Sequence, residues 1–168
     1  MNRTHRPPTR IARNLTATAA AVLAAAAALA SLVAPAGAGA TPAAHAARAQ
    51  KIQLRHTSLG NVIVDSSGFT LYHFSKDTGK QNMCLNTSEC STTWPALETS
   101  GQPTVGPGLK ASLVSTIALP GGKRQVTYAG HPLYRYAAAT ERGEASYAGV
   151  KQFGGTWFAL SASGGNVK

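Results

Sequence analysis

Val64 to Thr78 reads VDSSGFTLYHFSKDT and, 62 residues later, Val126 to Thr140 reads VTYAGHPLYRYAAAT. Val, Gly, Leu, Tyr and the closing Thr coincide, and Phe74 is matched by Tyr136. Farther along, TWPAL at residues 93–97 meets TWFAL at 156–160, an offset of 63, so the only two tryptophans of the chain occupy corresponding places. Self-similarity of this kind marks a duplicated unit. The one-residue change of offset is a loop difference between the copies. Two repeats follow, at about 51–99 and 111–163.

Within each copy the pattern is β. Lys51 to Thr57 alternates Ile52, Leu54 and His56 with polar neighbours, Asn61 to Val64 is short and β-branched, and Ser66-Ser67-Gly68 is a turn before Thr70 to Phe74. The second copy repeats this with Leu113 to Leu119, a turn at Pro120-Gly121-Gly122, Arg124 to Tyr128, a turn at Ala129-Gly130, then Pro132 to Tyr136. Each copy is expected to close with a strand around its Trp. No stretch after residue 50 combines caps with a long 3.6-residue apolar period, so no helix is predicted. Glu98 to Lys110, rich in Gly, Pro, Thr and Ser, joins the copies. The expected fold is all-β, with two pseudo-equivalent units of about four strands forming one small sandwich or barrel over 51–168.

Strand alternation assigns faces. Gly68, Leu71, Tyr72, Phe74 and Trp94 in one copy, with Gly130, Leu133, Tyr134, Tyr136 and Trp157 in the other, form the repeat motif. The duplicated Tyr, Phe and Trp are expected to share a core. Leu71 and Leu133 point the other way beside His73 and Arg135, and a position holding His in one copy and Arg in the other is expected to face solvent.

Upstream of the repeats the composition changes. Arg3, Arg6, Arg10 and Arg13 precede an uncharged run of Leu, Val, Ala, Thr and Ser over residues 15–34, the pattern of an export signal. A retained anchor is the alternative, since a spanning helix needs about 20 residues. Ala is weakly apolar, however, and Pro35, Gly37 and Gly39 break the run, so cleavage is expected after Ala40 or as late as Ala49. Residues 41–50 would be a flexible lead-in, and no membrane span would remain. No Cys precedes Cys84, so a lipid-attachment cysteine is absent from the signal. The net charge of the whole chain is +10. Removing 1–40 takes away four Arg and no acid, which leaves 12 basic and 6 acidic residues. Only 13% of residues are charged, about half the usual quarter. Coiled coil, collagen and a multi-span membrane protein are excluded.

Two Cys in an exported chain are expected to pair, because the compartment oxidises thiols. Cys84 and Cys90 enclose five residues, a loop whose closure contributes roughly 2 kcal/mol in the chain-entropy account.

Taken together, the residues resemble the secreted-repeat family of bacterial predicted lipoproteins and exported proteins. The resemblance rests on Gly68, Leu71-Tyr72-His73-Phe74 and Asp77 as a Tyr-x-aromatic-x-x-Asp motif, on Cys84, Cys90 and Trp94-Pro95, then on Gln125 to Tyr128, Gly130 to Tyr136 and Trp157. It spans about Ser58 to Ser163. Ala139 stands where the second copy would carry the acid. The resemblance implies an extracytoplasmic location and supplies no established activity.

No hydrolytic constellation is apparent. After residue 50 the histidines are His56, His73 and His131 and the aspartates Asp65 and Asp77, with no Gly-x-Ser-x-Gly elbow. Asp77 reads as an Asx turn ending its strand. Asp77, His73 and His131 are the candidate ligand or cation contacts. The Cys spacing is not that of a zinc site, and no motif calls for a cofactor. Basic residues are dispersed without the stripe of a nucleic-acid reader. The expectation is a non-enzymatic secreted or cell-envelope module for binding or structure, drawn to an anionic wall polymer, lipid head groups or a surface protein. A metal- or redox-associated protein using the Cys84/Cys90 loop is the alternative.

Overall fold

The computed structural model describes residues 49–168. The expected export signal and its cleavage sites up to Ala46 lie outside the described residues, as does most of the lead-in. Gln50 is already tied down: its N–H donates to Thr99 Oγ1 and its carbonyl accepts from Thr104 N–H.

Among the described residues the order is β1 (Lys51–Thr57), β2 (Gly60–Asp65), β3 (Tyr72–Phe74), α1 (Ser88–Thr93), β4 (Glu98–Thr99), β5 (Thr104–Val105), β6 (Val114–Ala118), β7 (Arg124–Tyr128), β8 (His131–Pro132), β9 (Lys151–Gln152), β10 (Gly155–Leu160) and β11 (Asn166–Val167). Three open sheets result: β2-β1-β5; β11-β10-β3 with β9 on β10; and β4-β7-β6 with β8 on β7. The all-β reading with two similar units is what the structure has, and since no sheet closes, the barrel is set aside.

The copies exchange their Trp segments. Trp157, Phe158 and Ala159 of β10 pair with Phe74, His73 and Tyr72 of β3 in the first copy. Reciprocally, Ala96 bridges Tyr134, and β4 pairs with β7 in the second copy. The bonds match one for one: Ser75 N–H donates to Thr156 O and Ala137 N–H to Thr93 O, both at 2.9 Å. At the centre, Tyr72 N–H donates to Tyr134 O at 3.0 Å and Tyr134 N–H to Tyr72 O at 2.8 Å. A pair of residues that exchanges both bonds is what a two-fold relation produces when the axis passes between them.

Register locates a loop difference. Leu71 N–H donates to Ile63 O and Leu133 N–H to Val126 O, so Ile63 rather than Val64 corresponds to Val126. The first copy has three residues, Ser66-Ser67-Gly68, where the second has Ala129-Gly130, so the offset changes within this turn as well.

Both sides of the central strands are covered. Val62, Val64, Tyr72, Phe74, Trp94, Tyr134 and Trp157 pack in one cluster with Cys84 and Cys90. Ile52, Ile63, Leu71, Leu97, Val126, Leu133 and Leu160 pack in a second. The unbroken Val62-Ile63-Val64 run of β2 suits a strand buried on two faces.

Four expectations are corrected. The face bearing Leu71, Leu133 and His73 is buried rather than solvent-facing, His73 being only 4% exposed. Trp94 caps the C-terminus of α1 and lies on no strand, unlike Trp157 on β10. The linker 98–110 contributes β4 and β5. The polar stretch before Trp94 holds a helix, nucleated by side-chain caps: Thr87 Oγ1 accepts from Cys90 N–H, and Asn82 Oδ1 accepts from Leu85 N–H in the preceding 3-10 turn.

Candidate functional site

Conformation and burial concentrate at the junction of the copies. Trp94 and Trp157 stack ring on ring, 4.0 Å between centroids and 5° between planes, and neither is exposed. Phe74 stacks on Trp157 at 4.5 Å, Tyr134 meets it edge-on at 5.1 Å, and Tyr136 lies against Trp94 at 4.9 Å. Aromatic pairs in such offset and edge geometries add to the area they bury. The indoles differ in their polar edges: Trp94 Nε1 donates to Gln152 Oε1 at 2.9 Å, whereas Trp157 Nε1 is buried with no partner. Gly68 is buried and Gly130 exposed, and both have the positive φ their turns require, 92° and 81°.

Asp77 does not make the expected Asx turn. Its Oδ1 accepts from Met83 N–H at 2.8 Å and its Oδ2 from Tyr134 Oη–H at 2.7 Å. It therefore fastens the first copy's disulfide loop to the second copy's central tyrosine. Burial raises its carboxyl to about 6, since a half-dry site disfavours the charged form. Burial likewise raises the Tyr134 phenol, with the Asp77 charge adding to the effect.

His73 and His131 come together, 4.3 Å between ring centroids. His73 also stacks on Phe158 at 5.5 Å, and its Nε2 lies 2.7 Å from Asn166 Oδ1. Burial, and then the neighbouring His131, hold His73 down to about 4; burial also lowers His131. Both rings are thus neutral near pH 7. Asp77 belongs to a different cluster, bonded to Tyr134 and Met83, so the three candidate contacts do not form one set.

Cys84 and Cys90 are joined by a disulfide and each is 1% exposed. Neither sulfur is then a thiolate, the form that ligates metal or exchanges electrons. No group of three or more His, Cys, Asp or Glu side chains is arranged to hold a metal among the described residues.

Several residues at the junction escaped the sequence reading. Asp65, wholly buried, accepts from Ser67 and Phe69 N–H through Oδ1, and its Oδ2 lies 2.7 Å from Arg135 Nε. Gln125, also wholly buried, accepts from Asn82 Nδ2 and donates to Leu133 O, both at 2.8 Å. A polar residue closing a continuous apolar run, as Asp65 closes Val62-Ile63-Val64, is the available signal, because a buried polar side chain is as a rule hydrogen-bonded. Neither Gln125, between Arg124 and Val126-Thr127, nor Asn166 carries such a signal.

The sequence model of a family described as a secreted repeat of unknown function matches residues 54–98 and again 115–161. No curated protein and no solved structure matches the chain. With more than half its length matched, the chain belongs to this family of secreted repeats.

Proposed function

We propose that this secreted-repeat protein is a non-enzymatic module of the exterior or the cell envelope, with its signal removed, whose two copies form a rigid scaffold for binding. The observation that carries the reading is how its chemically capable side chains are spent. Asp77 has both oxygens engaged, His73 is stacked and bonded to Asn166, and the sulfurs are bridged in the core. A catalytic base or nucleophile needs an available lone pair within reach of a substrate; Asp77 instead ties the first copy to Tyr134 of the second, His73 is held by Asn166, and the disulfide closes a loop within the first copy. Its surface favours anionic partners: Lys51, Arg55, Lys76, Lys80, Lys110, Arg142, Lys151 and Lys168 are exposed without ion-pair partners among the described residues.

Thiol titration, metal analysis and a visible absorption spectrum of natively purified protein test this. The expected result is no free thiol, no stoichiometric metal and no visible band. One equivalent of bound copper or zinc, or thiols that titrate in the native state, would replace the reading with a metal or redox role.

A further inference from the structure

The hairpin β9–β10 carries an aromatic side chain in an unfavourable place. Gln152 pairs with Gly155, so Phe153 and Gly154 form a two-residue loop. Both have positive φ, 53° and 75°. That turn favours Asn-Gly or Gly-Gly, and a bulky side chain at positive φ is strained. The second copy's other tight hairpin meets the same demand with Ala129-Gly130. Phe153 is also 39% exposed, and it and Leu85 are the exposed large apolar side chains among the described residues. Strain together with exposure, in a residue that packs no core, points to use outside the fold.

The hairpin is rigidly mounted. Gln152 accepts from Trp94 Nε1, Thr156 N–H donates to Ser75 Oγ at 2.8 Å, and a Cβ on Gly155 would collide with the Phe74 ring. Lys76 Nζ lies beside the tip, 3.4 Å from where a Cβ on Gly154 would stand, and Lys151, exposed, begins the hairpin. The hairpin carries no acid, and neither lysine has an ion-pair partner among the described residues.

We propose that this tip is a contact site for an anionic lipid bilayer, with the Phe153 ring in the interfacial region and Lys76 and Lys151 against lipid phosphates. Phe offers an apolar face and no hydrogen-bonding edge, and the side chains of Gln152 and Ser75 are already engaged with the fold. An apolar ring flanked by ammonium groups matches a surface that is negatively charged outside and hydrocarbon beneath. The assignment rests on the reading of the chain as an exported binding module and names its partner.

The test is co-sedimentation of the protein, purified from an exporting host, with vesicles of phosphatidylglycerol and phosphatidylcholine or of phosphatidylcholine alone. Wild type is expected to bind the anionic vesicles, less so as salt is raised. Phe153→Asn should weaken binding about tenfold while raising the melting temperature, because Asn-Gly relieves the turn. Lys76→Gln with Lys151→Gln should weaken it by roughly tenfold or more. Any contribution from the N-terminal residues is common to all variants, so the differences report the hairpin. Variants that bind as wild type does, or a Phe153→Asn protein that melts lower, overturn the assignment. Failure on vesicles with retention by an isolated anionic wall polymer also overturns it, and leaves the binding-module reading standing. Failure on both overturns it and, with it, the reading that the module's partner is anionic.

Discussion

Trp94 and Trp157 are the largest fully buried side chains at the junction, and their loss should show it. Each Trp→Ala substitution is expected to cost about 3–5 kcal/mol in denaturant unfolding, the range for emptying a large aromatic site; a loss below about 1 kcal/mol would place that indole among surface residues. Asp77 and His73 make opposite contributions to pH dependence. The Asp77 carboxyl titrates near 6 when folded against 3.8 ordinarily, so its stabilising contribution is complete below about pH 4 and is lost as pH rises through 6. His73 titrates near 4 when folded against 6.5, so its contribution is complete above 6.5 and is lost as pH falls toward 4. The slopes oppose one another between pH 4 and 6. Asp77→Asn removes the first, so urea midpoints of that variant should fall more steeply from pH 6.5 to 4 than those of wild type, and its stability relative to wild type should be greatest at neutral pH. Parallel profiles would contradict the placement of Asp77. The duplicated aromatics were legible because they recur at one offset. The partners of His73 were not, since Phe158, His131 and Asn166 reach it from three later segments and no local pattern links them.

At the scale of elements, the β pattern was readable wherever a strand faces two ways or ends in a Gly turn. Alternation could not reveal that the second face of β3 is buried, because the side chains that meet His73 there are His131 on β8 and Phe158 on β10 of the other copy and Asn166 on β11 beyond it. The helix α1 was hidden for another reason: its six residues are too few for a period, and caps at Thr87 and Asn82 make it. The disulfide spans this helix and the 3-10 turn before it. Reduction is expected to lower stability by roughly 2 kcal/mol, the entropy of a short loop, with faster amide exchange confined to about residues 76–93. Exchange that quickened equally through β7 and β10 would show the bridge to be a determinant of the whole fold.

For the molecule as a whole, export is expected to leave a mature N-terminus between residues 37 and 50, checked by intact mass of the protein in culture medium; full-length chain held in membranes would contradict it. The duplication was evident in the sequence, but the exchange of Trp segments was not, because a repeat pairing within itself and one pairing with its twin have the same period. Exchange makes the copies interdependent: β3 of the first has β10 of the second as its sheet neighbour, and β7 of the second has β4, which follows TWPAL, as one of its own. Native-state hydrogen exchange at the amides of Tyr72 and Tyr134, the two that bond reciprocally at the centre, tests this most directly. Both amides should exchange only through global unfolding, with equal opening free energies that match the denaturant value. If either opened at a markedly lower free energy while the other stayed protected, the copies would be separate folding units and the interlocked account would be wrong.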